Sequence, residues 1–371
     1  MSEKHLLLIG GGHAHVAVLA DWIKHGAPAR TTLITPSPRL RYSGMVPGWI
    51  AGEYARDEGL VDLAGLAQRA GVELVLDRCI GIDGDARRIE TETSGPLDFD
   101  IASLDTGGVG RAGAILGQDP RLLDIRPINA FVAHLDDWMA TNEVREKRIA
   151  VIGGGAGGVE LAFGLRNSGS SDVCPGVTLV AGSEGLLPGF TGGVRTRVRA
   201  ELAAQTIHLI ESDAQLLDGH LQAGDHSLEP VDLIVAALGS AAPVNRAAIG
   251  VDCDLDGFIA VDRHQRSISH RNIFAAGDVA ARQDRDVPHS GVHAVHTGPV
   301  LARNLRAALS GETPSQSYQP RPASLYLLST GNGSAIASYG AFAAQGRWAA
   351  KLKRWIDKRW IGTYARLASG Q

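Results

Sequence analysis

Cysteine is scarce in this chain of 371 residues, and the three that occur lie far apart. Cys79, Cys174 and Cys253 form no C-x-x-C pair, which argues against a disulfide scaffold, a zinc ribbon and a local redox-active dithiol. No apolar run approaches the roughly 18 residues of a membrane-spanning helix, and no secretory leader is recognisable. The net charge is −4, so nothing global indicates nucleic-acid binding. We expect a cytoplasmic protein without a nucleic-acid partner.

Glycine, in contrast, is abundant, with 46 residues, and two glycine-rich turns stand out. The first, Gly10–His15 (GGGHAH), follows the apolar run His5–Ile9; the second, Gly153–Gly158 (GGGAGG), follows Arg148–Ile152. Glycines after a strand let the backbone approach a pyrophosphate, which the N-terminus of the next helix then binds. Two such sites imply two dinucleotides with electron transfer between them, and so predict a redox enzyme.

The order of the segments predicts an α/β protein with two Rossmann-like dinucleotide-binding domains, one inserted in the other. The first domain is expected to span residues 1–114 and, after an interruption, 254–320. The second domain would occupy 115–253. Residues 321–371 would form a small C-terminal cap, made of a hairpin and a helix.

A carboxylate is expected at the first site, although both sites lack the usual acidic residue. The apolar run Ile273–Ala276 ends in Gly277-Asp278, which would place the Asp278 carboxylate at the sheet edge where ligands bind. In contrast, Thr35 and Ala181 stand where a ribose-binding acid is usual, at the ends of the strands after the two turns. Ser183 or Glu184 could substitute at the second site, so the sequence leaves NADH and NADPH both open.

Three segments give the chain a resemblance to known flavoproteins: the turn at 10–15, Tyr42–Gly48 (YSGMVPG), and Ser290–Ala294 (SGVHA) ahead of Gly298. In these the chain resembles the pyridine nucleotide-disulfide oxidoreductase superfamily of two-dinucleotide flavoproteins. Within it, the type II NADH dehydrogenases and sulfide:quinone oxidoreductases are similar, and the flavoprotein module fused to selenide, water dikinase most of all. The resemblance covers nearly the whole chain.

The resemblance implies FAD as cofactor and NAD(P)H as cosubstrate, with Tyr42–Pro47 along the isoalloxazine and a helix beginning near Thr297 and Gly298 facing the flavin. The residues implied for FAD are Gly10, Gly12, His13, Ala14, Thr35, Arg41, Ser43, Pro47, Cys79, Thr106, Gly107, Gly277, Asp278, Thr297 and Gly298. Those implied for NAD(P)H are Gly153, Gly155, Gly158, Ser183 and Gly239. Glu160, near the nicotinamide, and His296, at a quinone-motif position, are implied as catalytic; Glu160 could equally be a structural residue of a helix N-terminus.

Departures from these relatives leave the acceptor open. The flavin-proximal cysteines of sulfide:quinone oxidoreductases are missing, which argues against polysulfide chemistry. The quinone-motif glutamines of type II NADH dehydrogenases are also missing; Gly291, Val292 and His296 stand in their place. We therefore expect an NAD(P)H:acceptor oxidoreductase with a small acceptor, a quinone being one candidate. The alternatives are a sulfur- or selenium-directed flavoprotein reductase, and an FAD-binding electron-transfer or regulatory subunit without nicotinamide use.

The thirteen histidines do not predict a metal site. His289, His293 and His296 could share one face of a helix, and His13 and His15 are two residues apart, but no cysteine or carboxylate joins them to complete a zinc shell. Contacts with phosphate or flavin are the expected role. No metal is predicted.

The C-terminal helix, predicted within 346–368, combines aromatic and basic residues. A single apolar face with positive charge around it would suit a membrane surface. Docking on the chain's own flavin domain or on a partner is the alternative. The chain is thus expected to be a monomer or homodimer in the cytoplasm, with peripheral attachment to the inner face of the membrane as one possibility. The predicted face consists of Trp348, Leu352, Trp355, Ile356, Tyr364 and Leu367, and the bases include Lys351, Lys353 and Arg354.

Overall fold

A computed structural model describes residues 4–141, 147–169, 174–243, 250–321 and 323–370. Its helices are α1 (His13–His25), α2 (Val46–Ile50), α3 (Leu63–Ala70), α4 (Ala112–Leu116), α5 (Ile128–Thr141), α6 (Ala156–Arg166), α7 (Gly192–Ala204), α8 (Gly291–Leu309) and α9 (Arg347–Ser369). Short 3-10 helices lie at Ser43–Met45 and Gly277–Val279.

The strands are β1 (His5–Ile9), β2 (Arg30–Thr35), β3 (Arg39–Arg41), β4 (Leu60–Asp62), β5 (Glu73–Leu76), β6 (Cys79–Asp83), β7 (Arg88–Thr91), β8 (Leu97–Asp98), β9 (Ile101–Leu104), β10 (Leu122–Asp124), β11 (Arg148–Ile152), β12 (Gly176–Val180), β13 (His208–Ile210), β14 (Ala214–Leu217), β15 (His220–Ala223), β16 (His226–Ser227), β17 (Leu233–Ala236), β18 (Ile259–Val261), β19 (Ile273–Ala275), β20 (Ala280–Arg282), β21 (Tyr326–Ser329), β22 (Ala335–Tyr339) and β23 (Phe342–Gly346).

The first parallel sheet has the order β19-β9-β1-β2-β5. Both faces of β1 are covered, so its residues form a continuous apolar run rather than an alternating one. Leu6 and Leu8 pack with residues of α1, α3 and α8, while Leu7 and Ile9 face the small sheet β6-β7-β8 and β18. Because β19 pairs with β9, a segment more than 160 residues later in the chain completes this sheet.

The second parallel sheet has the order β10-β17-β11-β12-β13 and lies between those two segments in the sequence. One face of β11 packs on α5, α6 and α7 through Ile149 and Val151. Its other face, with Ala150 and Ile152, packs on the antiparallel sheet β14-β15-β16. Two parallel sheets with covering helices confirm the predicted α/β class with two Rossmann-like units; the domain boundaries stay predictions.

The C-terminal cap contains more strand than the sequence predicts. Besides the expected hairpin β21-β22, a third strand, β23, continues the antiparallel sheet and leads directly into α9. The chain reverses direction between β22 and β23 at Gly340, which has a φ of +55°. The cap is therefore a three-stranded sheet and a helix.

The apolar face predicted for α9 is divided between the protein interior and the surface. Tyr364 and Leu367 pack against the first unit together with Trp360 and other residues at the end of the helix. Lys353, expected among the solvated bases, is largely enclosed instead, with 13% of its side chain exposed. Trp348 and Trp355 stay exposed, at 50% and 58%. The helix docks on the first unit through the side chains of its C-terminal turns, while Trp348 and Trp355 remain exposed.

The start predicted for α8 is also wrong. The helix begins at Gly291, with Ser290 as its N-cap, so Thr297 and Gly298 lie in its second turn. A side chain at position 298 would meet Ala17 Cβ at 2.6 Å, which shows that Gly298 permits close contact between α8 and α1. Pro299 lies inside α8 rather than at its start.

Candidate functional site

The first glycine turn closes around Asp105, the residue directly after β9. The Asp105 Oδ2 atom accepts hydrogen bonds from the N–H groups of Ala14 and His15, at 2.7 and 2.9 Å. Its backbone carbonyl accepts a further bond from Gly12 N–H, at 3.1 Å. Burial raises the pKa of the Asp105 carboxyl to about 7, although the two N–H bonds oppose that shift. No motif in the sequence singles out Asp105; its one signal is its position as an acid between an apolar strand and Thr106-Gly107.

His15 stands where a third glycine is usual, and its ring has both nitrogens engaged. Nδ1 lies 2.6 Å from the Gly10 carbonyl, and Nε2 lies 2.9 Å from Ser103 Oγ. A carbonyl can only accept, so we assign the proton to Nδ1, and Nε2 then accepts from the serine hydroxyl. Burial lowers the pKa of His15 to about 4, which keeps the ring neutral. The side chain thus fits this position as a satisfied core residue.

Asp278 follows β19 and lies beside the same turn. Gly277, with a φ of +69°, brings the chain close to the Asp105 carboxyl: a Cβ there would lie 2.6 Å from Asp105 Oδ1. The Asp278 carboxylate pairs with Arg126, whose Nη2 lies 2.9 Å from Oδ2. Gly10, Gly12 and Thr106 meet at this point too. The structure therefore brings together the turn, Thr106 and Asp278 from three distant parts of the sequence.

The surroundings of Asp278 and the first turn fit a polar dinucleotide. Four buried side-chain atoms there have no hydrogen-bond partner among the described residues: His13 Nε2, Arg126 Nε, Ser290 Oγ and Trp360 Nε1. Such orphaned groups are rare in a protein interior unless a ligand or water satisfies them. Phosphate, ribityl and ring-nitrogen groups of FAD offer suitable partners.

The other residues implied for FAD are placed unevenly. Ser43 and Pro47 line the large cavity described below, and Thr297 lines a small one beside Asp278. Thr35 Oγ1 donates to Ser37 O at 3.3 Å, and Arg41 donates to Arg56 O at 2.7 Å. Gly107, with a φ of +72°, follows Thr106.

Cys79 lies in β6 and lines none of the described cavities around the turn. Its Sγ lies 3.3 Å from Gly81 O, and burial raises the pKa of the thiol to about 11. Cys174 and Cys253 likewise form no disulfide. Among the described residues, no group of three or more His, Cys, Asp or Glu side chains is arranged to hold a metal ion.

The second glycine turn is built almost entirely from backbone. Gly153, with a φ of +131°, lies against Ala237 O, and Gly158 lies against Gly153 O, so neither position has room for a side chain. Gly155 and Gly157 face open space, with no atom within 4 Å of a would-be Cβ. Gly239, with a φ of +77°, follows β17 at the same sheet edge. This arrangement leaves the N-terminus of α6 accessible to a pyrophosphate.

A cavity of about 800 Å³ joins the two units and the cap. Tyr42–Pro47 contributes one wall, α6 contributes Ala156 and Glu160, and the first turns of α8 contribute residues up to His296. The cap closes it with β21 and with Lys353, Ile356 and Trp360 of α9. Both predicted catalytic residues, Glu160 and His296, therefore line the same space.

Glu160 belongs to a largely enclosed charge cluster that includes two residues of α9. Its Oε1 accepts the Ser329 N–H at 2.9 Å and lies 3.9 Å from Lys353 Nζ. The same ammonium lies 3.4 Å from Asp357 Oδ2 and donates to Gly44 O at 2.9 Å. Tyr54 donates to Asp357 at 3.2 Å. Lys353 and Asp357, about 200 residues from Glu160, gave no sequence signal except a mixed-charge helix.

Burial sets the direction of the pKa shifts in this cluster. It raises the pKa of Glu160 and of Asp357 above the ordinary carboxyl range, against the pull of the Lys353 ammonium. Burial alone would lower the pKa of Lys353, but the two carboxylates outweigh it and raise that pKa. His296 has its pKa lowered, by burial and by Arg321. A carboxyl with a raised pKa can hold or release a proton near neutral pH.

Aromatic rings connect α9 to the first glycine turn. Trp360 stacks on Tyr42 with ring centroids 4.7 Å apart, and its centroid lies 5.4 Å from that of His13. Burial raises the pKa of the Tyr42 hydroxyl to about 12, so this ring remains neutral. The cap helix is thus part of the wall of the flavin-side site.

Comparisons with known proteins agree with this geometry. The family model of the pyridine nucleotide-disulphide oxidoreductases matches residues 4–298. The type II NADH:quinone oxidoreductase of Staphylococcus aureus is 22% identical over an aligned length of 397 residues. The alignment covers 96% of this chain and 95% of that protein.

Solved structures share the fold at low sequence identity. NDH2 from Plasmodium falciparum in complex with NADH has a TM-score of 0.80 at 14% identity and covers 96% of each chain. The sulfide:quinone oxidoreductase of Aquifex aeolicus has a TM-score of 0.76 at 19% identity and covers 99% of this chain and 92% of that one. The resemblance to a module fused to selenide, water dikinase stays a prediction. The chain belongs to the pyridine nucleotide-disulphide oxidoreductase family, as a flavin-dependent NAD(P)H oxidoreductase with FAD and NAD(P)H as its cofactors.

Proposed function

We propose that the protein is an NAD(P)H:quinone oxidoreductase in which both half-reactions meet at the 800 Å³ cavity. The observation that carries the proposal is the make-up of its walls. Flavin-side residues, α6 of the second unit and the cap all line it, and many of the side chains are apolar. An apolar lining suits a quinone ring and its chain. The apolar residues include Phe131, Leu161, Val295, Leu327, Ile356 and Trp360.

The protein's part is to bind and orient the reactants. When bound, FAD would supply the redox chemistry that links hydride transfer from NAD(P)H to two-electron reduction of an acceptor. We assign Gly10, Gly12, His13 and Asp278 to holding FAD, together with the other FAD residues implied above. Gly153, Gly155 and Gly158 bind the pyrophosphate of NAD(P)H, with Ser183 and Gly239 beside it.

Glu160 and Lys353 handle protons at the cavity wall. A quinone gains two protons as it becomes a quinol, so a proton donor must stand close to it. Glu160 has its pKa raised by burial and lies 3.9 Å from the Lys353 ammonium. Asp357, on the other side of Lys353, can restore the proton that Glu160 gives up. His296, at the same wall, orients the acceptor by a hydrogen bond.

The names of two relatives support a quinone as the acceptor. The Staphylococcus aureus protein is a type II NADH:quinone oxidoreductase, and the Aquifex aeolicus structure is a sulfide:quinone oxidoreductase. The described residues contain no helix with the length and apolar character to cross a bilayer. We propose peripheral attachment to the inner face of the membrane through Trp348 and Trp355, with Lys351, Arg354 and Lys358 as anionic-lipid contacts.

Anaerobic rapid mixing tests the function in two stages. NAD(P)H should bleach the flavin absorbance, and a soluble short-chain quinone should then restore it. The Glu160→Gln variant should be bleached at a rate close to the wild type's, while its reoxidation by quinone slows about 100-fold, the lower end of the range for a lost general acid. Bleaching followed by no faster recovery with quinone than with buffer alone would disprove the quinone acceptor.

Co-sedimentation with anionic liposomes at low salt tests the membrane proposal. Truncation of α9 is unsuitable because the helix packs on the first unit, so a Trp348→Ala/Trp355→Ala double variant is the better choice. We expect it to lose liposome binding while flavin bleaching is unchanged. Leu255→Ala, at a side chain 95% exposed elsewhere on the surface, is the matched control. A wild-type protein that stays in the supernatant would contradict the attachment.

A further inference from the structure

The second dinucleotide site lacks a carboxylate on the strand where one is usual. Ala181, directly after β12, is buried and cannot bind a ribose. Its N–H donates to Ile210 O at 2.8 Å, so the ends of β12 and β13 lie side by side. Residues after Ile210 therefore leave the sheet at the same edge as the second glycine turn.

The loop after β12 connects that turn to the end of β13. Leu187 N–H donates to Gly154 O at 2.8 Å. A Cβ at Gly154 would lie 2.6 Å from both Ala181 O and Gly185 O, which places the loop directly against the turn. From the same loop, Ser183 donates to Asp213 Oδ1 through its N–H at 2.9 Å and its hydroxyl at 3.1 Å.

Asp213 has one oxygen engaged and one available. Among the described residues, Oδ2 makes no hydrogen bond, since both bonds from Ser183 go to Oδ1. The hydrogen bonds from Ser183 lower the pKa of the Asp213 carboxyl, so it is ionised near neutral pH. It lines a polar recess of about 420 Å³, which we call the β13 recess; its walls are Ser183, Glu211, Ser212, Asp213, Gln215, Gln222 and Gly224.

We propose that Asp213 is the specificity-determining residue of the dinucleotide site, and that its free oxygen accepts the adenosine ribose hydroxyls of NADH and disfavours NADPH. This inference rests on the proposed use of a nicotinamide cosubstrate. Asp213, which follows β13, would thus take the role of the ribose-binding carboxylate that is missing after β12.

The charges around the recess reinforce this preference. A 2′-phosphate would add negative charge next to Asp213 and Glu211. One neighbouring base, Arg199, lies 2.7 Å from both Glu211 oxygens and is already paired. Glu211 also accepts the Leu186 N–H at 2.8 Å, which keeps it in the loop and leaves Asp213 as the carboxylate open to a ligand.

Two measurements on the full-length, FAD-loaded protein test the proposal. The first is the kcat/KM of flavin reduction with NADH and with NADPH. We expect kcat/KM for NADH to exceed kcat/KM for NADPH at least about tenfold. Asp213→Asn should lower this ratio about tenfold, as expected for lost hydrogen bonds to a charged group. The amide oxygen can still accept both bonds from Ser183, so the loop should keep its conformation. Asp225→Asn, at an exposed acid in the neighbouring β15–β16 turn, should leave the preference unchanged.

The second measurement is calorimetric binding of ADP-ribose and of its 2′-phosphorylated form, which needs no turnover. The wild type should bind ADP-ribose more tightly, and Asp213→Asn should lose most of that difference. Equal binding of the two ligands, or a preference removed by Glu184→Gln and not by Asp213→Asn, would overturn the proposal. If neither nicotinamide nucleotide bleaches the flavin, the proposed function fails, while the binding data still decide the role of Asp213.

Discussion

The first glycine turn is enclosed by side chains, whereas the second is formed by backbone. Around the first, Asp105 binds two N–H groups of α1, His15 fills the third position, and Asp278 pairs with Arg126. At the second, Gly155 and Gly157 face open space, and among the described residues no side chain accepts a hydrogen bond from the first-turn N–H groups of α6.

The proposed assignment of FAD to the first turn and NAD(P)H to the second explains this difference by the residence times that the two ligands need. FAD stays bound through the catalytic cycle, so buried charges and hydrogen bonds specific to it are an advantage. The nicotinamide nucleotide must dissociate after each hydride transfer. A solvent-exposed site formed by backbone groups can bind it and still release it quickly. One chain can thus use the same supersecondary motif for a resident cofactor and for an exchanging cosubstrate.

The largest effect is expected from removing the carboxylate of the first site. Asp278→Ala should weaken FAD binding by about 1.5–3 kcal/mol, the range for a hydrogen bond to a charged group, and it also leaves Arg126 unpaired. Equilibrium dialysis of FAD measures the loss. Asp225→Ala is the exposed control. If Asp278→Ala binds FAD with wild-type affinity, the first site does not depend on its side-chain carboxylate, and the contrast with the second site fails.

A pair of glycine variants tests the backbone character of the second site. Gly158→Ala puts a Cβ against Gly153 O, and overpacking of this kind destabilises by about 1–3 kcal/mol. Gly155→Ala meets no protein atom, so its thermal unfolding should match the wild type while its KM for NAD(P)H rises. FAD content should be unchanged in Gly155→Ala. Equal behaviour of the two variants in both assays would contradict the assignment.

The buried acid of the first site predicts a pH effect on stability. The pKa of Asp105 is raised to about 7, against about 3.9 in an unfolded chain. The folded protein therefore holds this proton more tightly, and the stability that the residue contributes is present below pH ~4 and is lost as the pH rises through ~7.

Asp105→Asn should thus gain stability relative to the wild type across that range, by at least about 1.4 kcal/mol, the equivalent of one pKa unit. Urea unfolding of the two proteins at matched FAD content measures the difference. His13 and His15, whose pKa values burial lowers to about 4, act in the opposite direction but are present in both proteins and cancel. If the difference in unfolding free energy between the two proteins is the same at every pH, the proton is not held by Asp105.

The smallest effect is expected from the cysteines. Since the pKa of the Cys79 thiol is raised to about 11 and the three cysteines form no disulfide, electron transfer should not use them. A Cys79→Ser/Cys174→Ser/Cys253→Ser variant should retain most flavin-dependent turnover with an artificial acceptor. Lost turnover with FAD still bound would revive the sulfur-directed alternative.

The sequence by itself determined the fold class and the two cofactors. The turns Gly10–His15 and Gly153–Gly158 depend on local backbone conformation, and glycine spacing after an apolar strand records that conformation directly. The strand Ile273–Ala275 was assigned to the first sheet in the same way, from its apolar residues and the Gly277-Asp278 that follows.

Tertiary structure alone decided which charges meet. Lys353 and Asp357 read as parts of a solvated helix but face Glu160, because α9 docks with that side inward. Asp105 lies beneath the first turn, and Asp213 contacts Ser183 from the loop after β13. The physical reason is that a local pattern is set by backbone and neighbouring residues, whereas a charge pair between distant segments exists only after the sheets and the cap have packed.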